Sequence, residues 1–205
     1  LEIRHDEACN LYMVWPGIDR QSAAIVIGSH LDSVPSGGNY DGAAGIVAGF
    51  QALRSLSCDP NLKRGLELVI WRGEESGTFG AVYMGSRAAF GINDKNILER
   101  TFRDRTLAEA IAGQSNPING VAFDPQLIAQ QRPALDARTV DGIAAYLELH
   151  IEQGNLLEKK EADIGVVTSI RGASRWKITL DAPDDRCVAK LLVELDDMCA
   201  QALAQ

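Results

Sequence analysis

Ala23–Ser29 reads AAIVIGS, and His30-Leu31-Asp32 follows it directly. A short, almost wholly apolar run of this kind marks a strand covered on both faces. The next stretch, Pro35 to Asn39, is rich in Gly, Ser and Pro. Apolar residues then recur at Ile46, Val47, Phe50, Leu53 and Leu56, close to the 3.6-residue helical period, with Tyr40 or Asp41 where that helix begins. Leu66–Trp71, LELVIW, is a second buried-strand run. Strand-like and helix-like segments thus alternate, which predicts an α/β domain: a mixed, mostly parallel sheet sandwiched by helices.

Further along, Thr78–Phe90 reads as a helix ended by Gly91, with shorter helices around Leu98–Phe102, Thr106–Ala112 and Pro125–Gln131. Tyr146–Glu152 alternates strictly, Leu147, Leu149 and Ile151 against Glu148, His150 and Glu152, as a strand does. Ile164–Ile170 and Trp176–Leu180 read as further strands, and Arg186–Leu203 as an amphipathic helix. The sheet is expected to contain Ile25–Ile27, Leu68–Ile70, Leu147–Ile151 and Val166–Ile170. A shift in composition near Gly172 suggests two domains, 1–172 and 173–205. The chain opens with Leu1, and Leu1–Asp6 already alternates like mid-strand, so it reads as a piece of a longer protein or one lacking its first elements.

Composition narrows the function. The 205 residues are 46% hydrophobic, enough for a real core and unlike a disordered chain. With 20 basic against 28 acidic residues the net charge is −8, and no basic face for nucleic acid is visible. The longest apolar run, Ala43 to Phe50, includes two glycines and falls far short of the roughly 18 residues of a membrane span. Cys9, Cys58, Cys187 and Cys199 form no CxxC and read as reduced thiols of a cytoplasmic protein.

The chemistry-bearing residues sit at strand ends. His30 and Asp32 follow the first buried strand, Glu74-Glu75 follow the second, and His150, Glu152 and Gln153 close the alternating one. Ligands of open α/β sheets bind at the carboxyl ends of strands. Each feature alone has a plain reading: a loop histidine, a helix-capping Asp41, solvated glutamates, a sheet histidine. Together, imidazole and carboxylate without thiolate suit Zn²⁺, Mn²⁺, Co²⁺ or Ni²⁺ in a hydrolytic centre. An Asp32 carboxylate two residues beyond His30 on an extended segment would accept the second ring N–H.

The string Ser29–Gly42, SHLDSVPSGGNYDG, resembles the metal loop of the amidase/carbamoylase group within the aminoacylase and carboxypeptidase clan of dinuclear metallohydrolases. Glu74-Glu75, Gly85-Ser86-Arg87-Ala88 and His150-Ile151-Glu152-Gln153-Gly154 match it too, and the resemblance runs from about Cys9 to Trp176. The group includes N-carbamoyl-L-amino-acid hydrolases, β-ureidopropionases and allantoate amidohydrolases. The resemblance implies a metallopeptidase-like catalytic domain followed by part of a smaller α+β dimerisation domain. It implies His30, Asp41 (bridging), Glu75 and His150 as metal ligands and Glu74 as general base. Asp32 becomes the support of His30, and Gln153 a substrate contact. Two divalent ions per complete subunit and a homodimer are likewise implied, and the substrate is a small N-carbamoyl or ureido compound. An N-carbamoyl-L-amino acid leads, followed by allantoate and by clan aminoacylase or peptidase substrates.

Three departures qualify the match. No histidine follows His150 to complete a second metal site, so one ion is expected in this chain. No HAG-type segment follows Arg175-Trp176, and Ser76-Gly77-Thr78 stands where the family often has Gly-Ser-Arg. The third bears on substrate preference; the first two support a second reading, an incomplete or degenerate metal-binding scaffold without turnover.

Overall fold

In the computed structural model, Leu66–Trp71 forms a strand over the range of its apolar run, and Ala24–His30 lies beside it. The structure describes residues 1–19, 21–75, 77–115, 120, 122–135, 141–170 and 190. Its described strands are β1 (Glu2–His5), β2 (Leu11–Trp15), β3 (Ala24–His30), β4 (Leu66–Trp71), the hairpin arms β5 (Thr101–Phe102) and β6 (Arg105–Thr106), and β7 (Ile143–Leu147). Five make one sheet in the order β1-β2-β4-β3-β7. β4, β3 and β7 are mutually parallel, while β2 runs antiparallel to β4 and to β1. Four of the five strands therefore point the same way, and the sheet is mixed and mostly parallel, as expected.

Strand alternation sorts the side chains between two covered faces. Leu66, Leu68, Ile25 and Ile27 pack with Ile46 and Leu53 of helix α1 (Ala43–Leu56). Tyr12, Val26, Val69 and Trp71 pack on the other face with Ala89 of helix α2 (Met84–Ala89). A further cluster joins α2 to helix α3 (Leu107–Ala112) and helix α4 (Pro125–Ala129) through Met84, Ala88, Leu107, Ile111, Leu127 and Ile128. Thr106 and Glu109 form a capping box at the start of α3, and Asp124 caps α4 with Pro125 in its first turn.

Two compact units are present, Leu1–Leu156 and Leu157–Gln205, and the sheet lies in the first. Within the second, the Leu157 carbonyl accepts the amides of Lys160 and Ala162. Gly172, the Trp176–Leu180 strand and, apart from Lys190, the Arg186–Leu203 helix lie outside the described residues. Among the described residues no helix is long and apolar enough to cross a membrane.

Four expectations are corrected. β7 spans Ile143–Leu147, because its pairing with β3 stops at Ile27 opposite Leu147. Residues 148–152 alternate in sequence, yet they have left the sheet. Ile164–Ile170 is not a strand, and among the described residues it has no ladder partner. The helix read over Thr78–Phe90 begins only at Met84, since Tyr83 is left-handed and the amides of residues 83–85 turn back to β4's exit. The helix read at Leu98–Phe102 is instead a 3₁₀ turn at Lys95–Glu99 running into β5. The sequence reading also passed over β2, although LYMVW is itself a short apolar run.

The β1–β2 connection is tied by one carboxylate. Asp6 accepts the amides of Ala8 and Asn10, the Asn10 side-chain amide and the Tyr12 hydroxyl, at 2.7–3.0 Å. Burial lifts the Asp6 carboxyl above its ordinary 3.8, against the pull of those bonds. The folded chain then holds this proton more tightly than the unfolded one, so stability falls as pH rises from 3.8 through the folded value. In urea titrations across the acid range, wild type should lose ground to Asp6→Asn as pH rises. A constant gap between them would show that Asp6 does not set this slope.

Candidate metal centre

His30 is the last residue of β3, the strand between β4 and β7, and its side chain is 1% exposed. Glu74-Glu75 follow the end of β4 and His150 follows the end of β7, so three parallel strands deliver all of them to one edge. Asp41 reaches that edge from the start of α1. It does not cap the helix: Gly42 is the cap residue and no side chain caps it.

The histidines are oriented by carbonyls. His30 Nδ1 lies 2.9 Å from the Asp32 carbonyl and His150 Nδ1 lies 2.7 Å from that of Ile151. A carbonyl only accepts, so each Nδ1 carries a proton, and in the neutral ring each Nε2 then presents a lone pair. Both Nε2 atoms face Asp41 Oδ1, at 3.7 Å from His30 and 3.2 Å from His150. His30 Nε2 and Asp41 Oδ1 are buried without a hydrogen-bond partner. Converging lone pairs with no proton between them are costly to bury unless a cation joins them. His30, Asp41 and His150 thus fit a metal ion, and their donor atoms lie within 4.8 Å of one another. His30, Glu74 and Glu75 form a second such group.

Gly42 makes the first group geometrically feasible. Its φ is +66°, and a Cβ there would stand 2.4 Å from the His30 carbonyl oxygen and 2.6 Å from the ring. Gln153, the expected substrate contact, donates from Nε2 to Asp41 Oδ2 at 2.8 Å. Of Asp41's two oxygens, Oδ1 faces the histidines while Oδ2 is engaged by this amide.

The expected contact between His30 and the Asp32 carboxylate is replaced by another. Asp32 Oδ1 is 3.9 Å from His30 Nδ1, and the ring takes the Asp32 carbonyl instead. The i, i+2 rule applies to extended chain, but β3 ends at His30 and the backbone turns. Asp32's carboxylate accepts the amides of Glu74 and Glu75, at 3.1 and 2.9 Å.

Glu74 Oε2 lies 3.6 Å from His30 Nε2. Burial raises the Glu74 pKa; His30 opposes the shift, while Glu75, Asp32 and Glu148 add to it. Glu148 is itself held: Trp71 Nε1 donates to the Tyr146 hydroxyl, which donates to Glu148 Oε2, both at 2.9 Å. Sequence reading missed this chain, because hydrophobic alternation carries no signal for a tyrosine hydroxyl. A cavity of about 350 Å³ lies beside Glu75 and Asp32, lined by Arg72, Phe79, Met84 and Phe123. Another of about 450 Å³ lies beside Glu74, lined by Trp71, Tyr83, Phe90 and Tyr146.

Known proteins resemble this chain in sequence and in fold. Peptidase family M28 matches residues 10–98. The ureidoglycolate hydrolase of Arabidopsis thaliana is 31% identical over 96% of this chain and 40% of its own length. The N-carbamoyl-L-amino acid amidohydrolase of Geobacillus stearothermophilus is 32% identical over 98% of this chain and 47% of its own. A hydantoinase/carbamoylase family amidase from Burkholderia ambifaria superposes with a TM-score of 0.58 at 30% identity, over 78% of this chain and 36% of that one. This chain spans less than half the length of the relatives it matches. The fold is metallopeptidase-like, and the candidate donor set supports a divalent metal cofactor. Over nearly its whole length the chain is similar to carbamoylase-type amidohydrolases, and its structure to amidases of the hydantoinase/carbamoylase family.

Proposed function

We propose that this chain carries the metal-binding half-site of a hydrolase that cleaves the C–N bond of an N-carbamoyl-L-amino acid. The observation that carries the reading is the buried convergence of His30 Nε2 and Asp41 Oδ1, neither with a partner, beside His150 Nε2. His30, Asp41 and His150 would hold one divalent ion (Zn, Mn, Co or Ni), and Glu75 would serve a second. Such an ion supplies Lewis acidity, polarising a carbonyl and acidifying water. Glu74, 3.6 Å from the His30 ring and outside the His30–Asp41–His150 group, takes the proton of the attacking water and passes it to the departing nitrogen. Gln153 and the carbonyls of Asp32 and Ile151 keep the ligand side chains aimed. Ureidoglycolate and allantoate offer the same ureido carbonyl and are the next substrates.

The test pairs a titration with an assay. Chain purified without chelator should bind one equivalent of Mn²⁺ or Zn²⁺ tightly and a second weakly, because the second site lacks a histidine in this sequence. Hydrolysis of N-carbamoyl amino acids should require the added metal. Tight binding without turnover on any of the three substrate types would favour the scaffold reading, and no binding would reject the site.

We also infer a homodimer. Val188, Leu191, Leu192, Leu195 and Met198 form an apolar stripe in sequence, and each such side chain is worth roughly 1.5–3 kcal/mol when buried. Light scattering should give a dimer that Leu192→Asp with Leu195→Asp dissociates; a wild-type monomer at high concentration excludes it.

A further inference from the structure

We propose that the Asp32 carboxylate is the positioning group of the Glu74-Glu75 pair. Its effect on turnover rests on the hydrolase reading above, whereas its structural half stands on geometry. Asp32 Oδ1 takes the Glu74 amide at 3.1 Å and Oδ2 takes the Glu75 amide at 2.9 Å. The same residue orients His30 through its main-chain carbonyl at 2.9 Å. One residue therefore serves two strand ends, the imidazole by backbone and the glutamates by side chain.

The residue type follows from this geometry. Two successive N–H groups need two acceptors in one plane, which a carboxylate offers. Asparagine would accept from one amide and point its own N–H₂ at the other. The charge of Asp32 sits close to two further acids, and the facing amide dipoles offset that repulsion.

The opposite side of the same turn is also held. The amides of Tyr83, Met84 and Gly85 donate to the carbonyls of Glu74, Gly73 and Arg72, at 2.8, 2.9 and 2.7 Å. The turn is thus held through the N–H groups of Glu74 and Glu75 by Asp32, and through the C=O groups of Arg72, Gly73 and Glu74 by the entry to α2. The two loops also touch beyond Glu75: a Cβ on Gly77 would lie 3.3 Å from Pro35 Cδ and 3.5 Å from the Ser33 carbonyl. With its main chain held this way, the turn leaves both glutamate carboxylates available for ligand and proton work.

Amide hydrogen exchange by NMR on wild type, Asp32→Ala and Asp32→Asn reads the proposal directly. In Asp32→Ala the Glu74 and Glu75 amides should exchange about 10-fold faster or more, while Ile27 and Val69 in the β3–β4 ladder hold their protection. Asp32→Asn should release one of the two amides. Metal titration should show the His30–Asp41–His150 affinity changed by no more than a few-fold, with kcat lowered and KM unchanged in protein that turns over. Unchanged glutamate amides in Asp32→Ala would overturn the assignment, as would a loss of metal affinity with those amides still protected. Should Asp32→Ala lose its ladder protection as well, the single released amide of Asp32→Asn decides the matter. If wild type neither binds metal nor turns over, the hydrolase reading fails, and the exchange result still judges Asp32.

Discussion

Glutamine in place of Glu74 is expected to lower kcat by about 10²–10⁴-fold while leaving metal content unchanged. The substitution keeps size and hydrogen-bonding capacity and removes only the ability to take a proton. Glu74 lies beside His30 at 3.6 Å, in a half-buried position where burial and three neighbouring carboxylates raise its pKa. A raised pKa suits a group that takes and passes on a proton. Glu75→Gln should behave differently, losing metal together with activity. Elemental analysis beside steady-state kinetics separates the two phenotypes, and a swap between them would reverse the roles.

Gly42→Ala should unfold or disable the site altogether. The new methyl meets the His30 carbonyl at 2.4 Å and the ring at 2.6 Å, and the φ of +66° is one that alanine rarely adopts. Steric and conformational costs act together here, and a loss of about 3 kcal/mol or more is expected in urea unfolding. Neither neighbour yields readily, since one is strand backbone and the other a buried ring held by the Asp32 carbonyl. Metal affinity should fall in whatever fraction stays folded. A Gly42→Ala variant with a wild-type midpoint and wild-type metal binding would refute the close approach.

The parts of the fold that could be read from sequence are those where one signal dominates. AAIVIGS and LELVIW have no polar face, and each becomes an inner strand. The Ile46–Leu56 periodicity becomes α1, whose buried side holds Ile46 and Leu53. The convergence of the candidate residues was legible for the same reason: His30 ends one strand, Glu74-Glu75 and His150 follow two others, and parallel strands share an end. Legibility stopped where pairing decides the outcome. Leu147, Leu149 and Ile151 alternate like a strand, but β3 supplies no partner beyond Ile27. Asp32 shows the same limit at the level of one side chain. Its spacing from His30 is readable, whereas the turn that swaps carbonyl for carboxylate depends on where the strand ends.

The order β4-β3-β7 has one more consequence. His30 and Asp41 are close in sequence, but His150 is about 120 residues from His30 and arrives only when β7 docks on β3. An ion held by the two rings would act as a removable clasp across that span. It would close a long loop as a disulfide does, and for loops of about 100 residues the chain-entropy model puts such a closure near 4–5 kcal/mol. Affinity and folding would then become one equilibrium, and a chelator would be expected to loosen the β7 edge of the sheet first.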